Sequence, residues 1–293
     1  VGITQTKILT VNSIVMLLSN VALNYCLIFG KGGFPAAGIA GAAIASSVSE
    51  AVSLLFFIIY TSMTADKRKY GFRRAFTLRP HLLKGMLSIS GWTMVQSFIS
   101  VSIWFIFFLA IEHLGERPLA VTNIVRNISA LLIMVISAFA TTAGALISNQ
   151  IGAGEQRCLF KTCGMTLKLT YAILIPLLII LCLFPEPVLR AFTDSPSLIA
   201  ASVNSVYVMA SSTLIMAPSF ILFNAVSGTG NTKAGFIMEM ISLAVYTAVI
   251  YYGIIRLKPD VALCWFSEHV YGVTLIILAW WYLKSGKWRG KKV

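Results

Sequence analysis

The chain has 293 residues, of which 58% are apolar and only 11% are charged, and its mean hydropathy is +0.85. Such a composition excludes an ordinary soluble domain and indicates a protein of the lipid bilayer. In a soluble protein the net charge of +13 would suggest a nucleic-acid partner. Here the basic residues lie between and after apolar runs, so they indicate membrane topology and no nucleic acid is expected.

Eight apolar segments are long enough to cross about 30 Å of hydrocarbon, which takes roughly 20 residues of α-helix. In chain order they are Ile8–Phe29, Gly38–Ser62, Lys84–Ile111, Pro118–Ser148, Met165–Phe184, Ala200–Val226, Ala234–Ile255 and Val261–Tyr282. Each segment must satisfy its own backbone polar groups in lipid, which predicts helices. The runs lack the alternation of barrel strands. The predicted fold class is therefore all-α, a polytopic helical bundle.

Lysine and arginine are distributed unequally between the two sets of loops of such a bundle. One set holds 17 of the 23 basic residues: Lys7, Lys67, Arg68, Lys69, Arg73, Arg74, Arg79, Lys84, Arg157, Lys161, Lys168, Lys233, Lys284, Lys287, Arg289, Lys291 and Lys292. The opposite set holds five: Lys31, Arg117, Arg190, Arg256 and Lys258. The positive-inside rule therefore predicts a multi-pass protein of the cell (inner) membrane with its C-terminus in the cytoplasm.

Cysteine labelling tests this topology. Single cysteines at Thr77 and Ser285, in a background without the native cysteines, are expected to resist an impermeant maleimide added from outside. The reason is that both positions lie in basic segments predicted to be cytoplasmic. Labelling of one position but not the other would contradict the eight-helix topology.

The pattern G-x-x-x-T-K occurs twice, as Gly2–Lys7 and as Gly228–Lys233. Six segments lie between the two copies, so both copies face the same side and the predicted repeats are parallel. We expect two six-helix repeats, with 84–293 forming the C-terminal lobe and 1–62 the last two helices of an N-terminal lobe. A cytoplasmic loop, 63–83, would join them. The chain would then be the C-terminal two-thirds of a protein of about twelve helices, eight of them present; a complete eight-helix protein is the alternative.

Three parts of the sequence resemble the motifs of one transporter family. Ser227–Lys233 (SGTGNTK) is similar to a turn written R/S-G-x-G-D/N-T-[RK], and Ser148–Gly154 (SNQIGAG) to a segment written G-Q-x-x-G-A-G. Asn24–Gly30, with Pro35 and Gly41 after it, resembles the turn that joins the fifth and sixth helices of the members of that family. These motifs are those of the multidrug and toxic compound extrusion (MATE) family, and the resemblance covers the chain from before helix five to the end of helix twelve.

This resemblance implies a secondary active multidrug efflux transporter. Such a protein antiports cationic or amphipathic organic compounds against H⁺ or Na⁺ by alternating access. The alternative is a lipid or lipid-linked oligosaccharide flippase of the same superfamily. The implied partners are the lipid bilayer and small organic cations or other drugs, and the protein is expected to be a monomer.

The sequence departs from the family pattern where ions are bound. The sodium-coupled branch places a Glu in the seventh helix and an Asp in the tenth, but the corresponding stretches 91–100 and 209–218 contain no carboxylate. Another branch of the family uses an Asp in its first helix, and no segment of this chain corresponds to that helix. The coupling group must therefore be sought at other positions.

Ionisable residues inside apolar segments are functional candidates, because a charge in lipid is costly. Glu50 lies about 12 residues into the second segment, roughly 18 Å deep at 1.5 Å per residue. Glu268 lies in the eighth segment and, like Glu50, directly follows a serine in the sequence. We predict that Glu50 and Glu268 are ion-coupling carboxyls, binding a proton and a cation in alternation. The alternative is that they are buried structural carboxyls. Glu239, one turn above the cytoplasmic end of the seventh segment, is expected only to reach the membrane interface.

The substrate-cavity candidates are Arg126, Asn127, Gln96, Asn123 and Trp92. The alternative for Arg126 is a structural ion pair with Glu50, Glu268 or Glu112. The amides are also common hydrogen-bonding partners between helices. Trp92 and the other aromatic residues of the third segment can line an organic-cation cavity through cation–π contacts or face lipid; these are Trp104, Phe105, Phe107 and Phe108.

The sequence shows none of the motifs of an enzyme. We find no Ser–His–Asp arrangement, no metal-ligand cluster, no cofactor motif and no G-x-x-x-x-G-K-[ST] phosphate loop. We therefore expect no enzymatic activity, no bound metal and no cofactor apart from the coupling ion. Without a Walker motif an ion gradient would supply the energy, and paired six-helix repeats favour alternating access over a pore.

Overall fold

A computed structural model describes residues 7–64, 80–286 and 288 of the chain. The first G-x-x-x-T-K copy up to its Lys, most of the basic loop and most of the C-terminal tail lie outside the described residues. Contacts divide the chain into two compact units, Val1–Pro80 and His81–Val293. Each unit is described by itself.

The first unit contains an antiparallel pair of helices, α1 (Lys7–Phe29) and α2 (Gly38–Thr64). Polar side chains join them within an otherwise apolar contact, since Asn12 Nδ2 donates to Ser53 Oγ at 2.7 Å. Near the connecting turn the helices approach so closely that a Cβ at Gly41 would lie 2.5 Å from the carbonyl oxygen of Leu27. The small residue is therefore required for this close contact.

All regular elements of the second unit in the described residues are helical. They are α3 (Pro80–Glu112), α4 (Glu116–Gly152), α5 (Leu159–Leu183), α6 (Pro185–Arg190), α7 (Pro196–Gly228), α8 (Thr232–Val249), α9 (Val261–Cys264) and α10 (Phe266–Ser285). A π-helical turn, Ile250–Arg256, continues α8. Within the unit α7 occupies the centre, where it packs against α4, α5, α8 and α10.

In the described residues eight helical stretches are long and apolar enough to cross a membrane, so the all-helical fold with eight spans is confirmed. The predicted ends differ from the observed ones where charged residues stand at a helix terminus. For example, α5 begins at Leu159, six residues before the predicted Met165, and therefore also includes Lys161. The apolar stretch understates the helix because Lys and Arg keep their charged ends in water while their stems lie along the apolar surface.

Glycines allow α4 and α7 to pack in direct backbone contact. A Cβ at Gly228 would lie 2.5 Å from the carbonyl oxygen of Gly144, and a Cβ at Gly144 would lie 2.9 Å from that of Asn224. Neither backbone can yield without moving a whole helix. The first glycine of the SGTGNTK motif is thus explained by helix packing, which is where small residues concentrate in membrane bundles.

The rest of that motif forms the turn between α7 and α8. Gly230 has a φ of +77°, a left-handed conformation that glycine adopts without strain. Asn231 then caps α8, because its side-chain oxygen accepts from the backbone N–H of Ala234 at 3.3 Å. The Nδ2 of the same asparagine donates to the hydroxyl of Tyr282 on α10 at 2.6 Å. The motif therefore connects three helices.

Large apolar side chains cover the outside of both units. Exposure reaches 75% for Phe98 in α3 and 67% for Leu183 in α5. An apolar surface of this extent is unsuited to water and matches contact with lipid tails or with further protein.

Candidate functional site

A cavity of about 720 Å³ lies within the second unit. Its walls come from five helices: α3, α4, α7, α8 and α10. Aromatic, aliphatic and methionine side chains form most of the walls, including Trp104, Phe220, Phe223 and Met134. In the described residues three charged side chains line the cavity, namely Arg126, Glu239 and Glu268.

Glu239 is one of the two carboxyls of this cavity, and only 3% of the residue is exposed. Its Oε1 accepts hydrogen bonds from the hydroxyl of Ser100 at 2.8 Å and from the hydroxyl of Tyr271 at 2.9 Å. Its Oε2 is buried and has no hydrogen-bond partner within the described residues. The expectation that Glu239 only reaches the membrane interface is therefore wrong, because the α8 face that carries it packs towards α3 and α10.

Glu268 is the second carboxyl, with 8% of the residue exposed. Its Oε1 accepts a hydrogen bond from the hydroxyl of Tyr246 at 2.8 Å. The rings of Tyr246 and Tyr271 meet edge to face with centroids 5.8 Å apart. Each carboxyl is thus held by a tyrosine of the other helix: α10 supplies Tyr271 to Glu239 of α8, and α8 supplies Tyr246 to Glu268 of α10.

The chemistry available to these carboxyls follows from their partners. Hydroxyl donors offset part of the cost of burying an ionised carboxylate, but a buried charge without a counter-ion is unstable unless it takes up a proton or a cation. Each of these two carboxyls can therefore bind a proton or a cation. In the described part of the chain no cluster of three or more His, Cys, Asp or Glu side chains could hold a metal ion.

Arg126 lines the same cavity from α4. Its guanidinium carbon lies 4.9 Å from the ring centroid of Phe108 on α3, and its Nε is buried without a hydrogen-bond partner among the described residues. In the described part of the second unit no ion pair joins it to Glu268 or Glu112. The structural pairing offered as an alternative for Arg126 is therefore not formed with these two residues.

The other cavity candidates of the sequence lie outside this lining. Asn127 is exposed because it is one position from Arg126 on α4, about 100° further round the helix. Asn123 is half-buried one turn away. Gln96 lies one turn from Ser100, and its backbone oxygen, 2.9 Å from the Ser100 hydroxyl, competes with Glu239 for the one proton of that hydroxyl. Trp92 packs on Phe236 instead, at 5.1 Å between ring centroids.

Glu50, the other predicted coupling carboxyl, belongs to α2 of the first unit and is exposed there. The lining of the cavity consists of residues of the second unit. The structure therefore places Glu268 in the cavity and Glu50 on a helix surface, and the coupling role of either residue stays a prediction.

The sequence left open whether the aromatic residues of the third segment line a cavity or face lipid, and in the structure their surroundings differ from one residue to the next. Trp104 lines the cavity, and Phe108 supports Arg126 beside it. Phe107 is buried, whereas Phe105 is 65% exposed on the outer surface. Helical rotation explains this division, because consecutive positions point in directions about 100° apart.

Sequence reasoning assigned Glu239 to the membrane interface and missed both tyrosines. A signal for them exists in the spacing: Glu239 and Tyr246 are two turns apart on α8, and Glu268 and Tyr271 are three positions apart on α10. Both spacings place a carboxyl and a phenol on one helix face. Two consecutive membrane helices with that pattern would have predicted a shared polar site.

Comparison with known proteins adds evidence that is independent of the geometry. The sequence model of the MatE family matches residues 93–252. Over 291 residues the chain is 26% identical to the probable multidrug resistance protein NorM of Thermotoga maritima, covering 94% of the chain and 59% of that relative. It is 25% identical to the uncharacterized transporter YisQ of Bacillus subtilis, covering 78% of the chain and 50% of that protein. The chain thus spans between half and three fifths of the length of these relatives.

A solved structure shares the fold. It is the outward-facing conformation of a multidrug resistance MATE family transporter of the MOP superfamily, with a TM-score of 0.80 and 18% sequence identity. The match covers 94% of this chain and 61% of that one. At this identity the likeness establishes the helical arrangement alone.

Proposed function

The chain belongs to the MatE family and is a multi-pass membrane protein, and from this premise we propose that it acts in secondary active multidrug efflux. The proposed activity is antiport of cationic or amphipathic organic compounds against H⁺ or Na⁺ by alternating access. We place the protein in the cell (inner) membrane with its C-terminus in the cytoplasm, as the basic residues predict.

The observation that supports this proposal best is the pair of buried, hydroxyl-bonded carboxyls in one cavity, Glu239 and Glu268. With both carboxyls ionised and Arg126 charged, the described lining carries one net negative charge. Protonation of both carboxyls changes this to one net positive charge. An organic cation and protons would therefore compete for the same two groups, which is the requirement for their exchange.

The apolar walls supply the rest of substrate binding. Trp104, Phe220 and Phe223 offer ring faces for aromatic compounds and for cation–π contact. Met134 and Met216 are flexible and polarisable, so they can adjust to bodies of different shape. A wall of this kind suits a transporter that accepts several compounds rather than one.

Transport by the full-length protein in proteoliposomes tests the proposal. Ethidium is expected to move against an imposed proton or Na⁺ gradient, and the gradient that drives it identifies the coupling ion. Empty liposomes and gradient-free proteoliposomes are the controls. Flipping of a fluorescent phospholipid without any gradient-driven movement of ethidium would contradict drug efflux and favour the lipid flippase.

A further inference from the structure

The central helix of the second unit, α7, contains a break in its backbone hydrogen bonding. Pro218 lies inside this helix and has no backbone N–H. The carbonyl of Leu214, four positions before it, therefore loses the donor that an α-helix normally provides. An unpaired carbonyl is costly at membrane depth, where no water replaces the missing donor. The geometry of α7 at this point depends on which group takes the place of that donor.

A side chain of another helix supplies the donor. The hydroxyl of Tyr171 on α5 donates to the carbonyl oxygen of Leu214 at 2.8 Å. Tyr171 is half-buried, and its ring packs against the apolar core around α7. The ring is thereby held in place, and its hydroxyl is directed at the carbonyl that Pro218 leaves without its usual partner.

The wall that α7 contributes to the cavity lies next to this break. Phe220, Phe223 and Asn224 all line the cavity, and all three follow Pro218 within two turns of helix. The direction that α7 takes after the break therefore determines where these side chains lie in the cavity.

The same part of α7 also contacts α10. The hydroxyl of Ser219 lies 2.8 Å from the carbonyl oxygen of Gly272 on α10 and 2.8 Å from that of Ile215 in its own helix. The two helices are close here, since a Cβ at Gly272 would lie 2.9 Å from Cγ2 of Ile215. Gly272 directly follows Tyr271, which donates to Glu239. A change in α7 at the break would therefore also reach the α10 side of the cavity.

We propose that Tyr171 is a positioning residue of the cavity. It lies on α5, which contributes no residue to the described lining, and it acts through the Leu214 carbonyl on the wall formed by α7. Without the hydroxyl this carbonyl must find another backbone donor, which changes the direction of the segment that carries Phe220 and Phe223. This inference rests on the proposed function, because it takes the cavity as the substrate site.

Removal of the hydroxyl alone tests this role, because Tyr171→Phe keeps the ring and loses the donor. Binding of ethidium to the purified full-length protein, measured by fluorescence, is expected to weaken about threefold to fivefold. A hydrogen bond of ordinary strength corresponds to roughly a fivefold change in an equilibrium constant, and affinity falls with the fraction of molecules that keep the native wall. In proteoliposomes the KM for ethidium should rise by the same factor, with the maximal rate within about twofold of native.

Another tyrosine provides the matched control for this substitution. Tyr207 is exposed on α7 itself, and it precedes Pro218 by about three turns of helix. Tyr207→Phe removes the same kind of hydroxyl and is expected to leave ethidium affinity unchanged.

Restoring the backbone donor gives the decisive comparison. Pro218→Ala gives position 218 an N–H that can donate to the Leu214 carbonyl within the helix, so the hydroxyl of Tyr171 becomes redundant. Pro218→Ala alone is expected to weaken ethidium binding, because α7 then takes a different direction. Adding Tyr171→Phe to Pro218→Ala should change the affinity by less than about 1.5-fold, and this non-additivity in a double-mutant cycle measures the proposed connection.

The opposing outcomes are distinct from one another. Losses that multiply in the double variant would show that Tyr171 and Pro218 act independently and would overturn the positioning role. A lower melting temperature of Tyr171→Phe with native ethidium affinity would overturn it as well, because the hydrogen bond would then only stabilise the fold. If the native protein binds ethidium without gradient-driven transport, drug efflux is contradicted, and a non-additive binding cycle still supports the role of Tyr171. Absence of ethidium binding by the native protein would overturn both.

Discussion

Replacement of Glu268 by Gln in the full-length protein is expected to reduce pH-driven export of ethidium to the background of empty liposomes. Gln has nearly the same shape, and its side-chain oxygen can still accept the hydrogen bond that Tyr246 now donates at 2.8 Å. The protein should therefore fold and insert, while the group that binds a proton is gone. Glu268→Asp keeps a titrating group and should retain part of the activity.

Other carboxyls provide the comparison for this result. Glu239→Gln should cause a loss of the same kind, because its carboxyl lines the same cavity and is held by Ser100 and Tyr271. Glu112→Gln changes an exposed carboxyl at the end of α3 and should leave export within about twofold of the native rate. Normal export by Glu268→Gln and Glu239→Gln, with loss only in Glu50→Gln, would place the coupling group in the first unit.

Replacement of Gly228 by Val is expected to lower the stability of the full-length protein by roughly 3 kcal/mol. The new Cβ would lie 2.5 Å from the carbonyl oxygen of Gly144, and a backbone atom cannot rotate away as a side chain can. The helices α4 and α7 would have to separate. Because Arg126 of α4 lines the cavity, this separation would also change the cavity. A thermal unfolding assay should show a fall of roughly 6–12 °C, accompanied by weaker substrate binding.

Gly164 provides a control position, a glycine of a membrane helix that is not in close backbone contact. It lies in α5, where a Cβ would meet no atom within 4 Å. Gly164→Ala should leave stability unchanged or raise it by roughly 0.5–1 kcal/mol, since alanine favours the helix. A native melting temperature in Gly228→Val would show that close backbone contact between α4 and α7 is not needed, and would contradict this explanation of the motif.

The role of the SGTGNTK motif could be predicted from the sequence only in part. The SGTGNTK motif was located correctly as a turn between two apolar helices, because glycine and asparagine act on the backbone within a few residues. Its contacts were not visible. The approach of Gly228 to Gly144 and the hydrogen bond from Asn231 to Tyr282 join residues 84 and 51 positions apart. Such contacts depend on which helices become neighbours.

The sequence by itself determined that the chain lies in a membrane and that its secondary structure is helical. A segment of about 20 apolar residues must satisfy its own backbone hydrogen bonds in lipid, which is a local requirement and leads to helix whatever surrounds it. The eight spans and the all-helical class follow from this requirement. The prediction that Glu268 and Arg126 are functional residues follows from a second local property, because a charge in such a segment is costly.

Only the tertiary structure decided which polar groups share a site. Glu239 accepts from Ser100, which is 139 positions away, and its place near a predicted helix end gave no indication of burial. Glu50 lies deeper in its own segment and is nevertheless exposed on the first unit. Depth along a helix is a property of one segment, whereas the direction in which a side chain meets a neighbour depends on how several helices pack. For this reason the cavity, its two tyrosine-held carboxyls and its unpaired arginine could be recognised only after the helices were assembled.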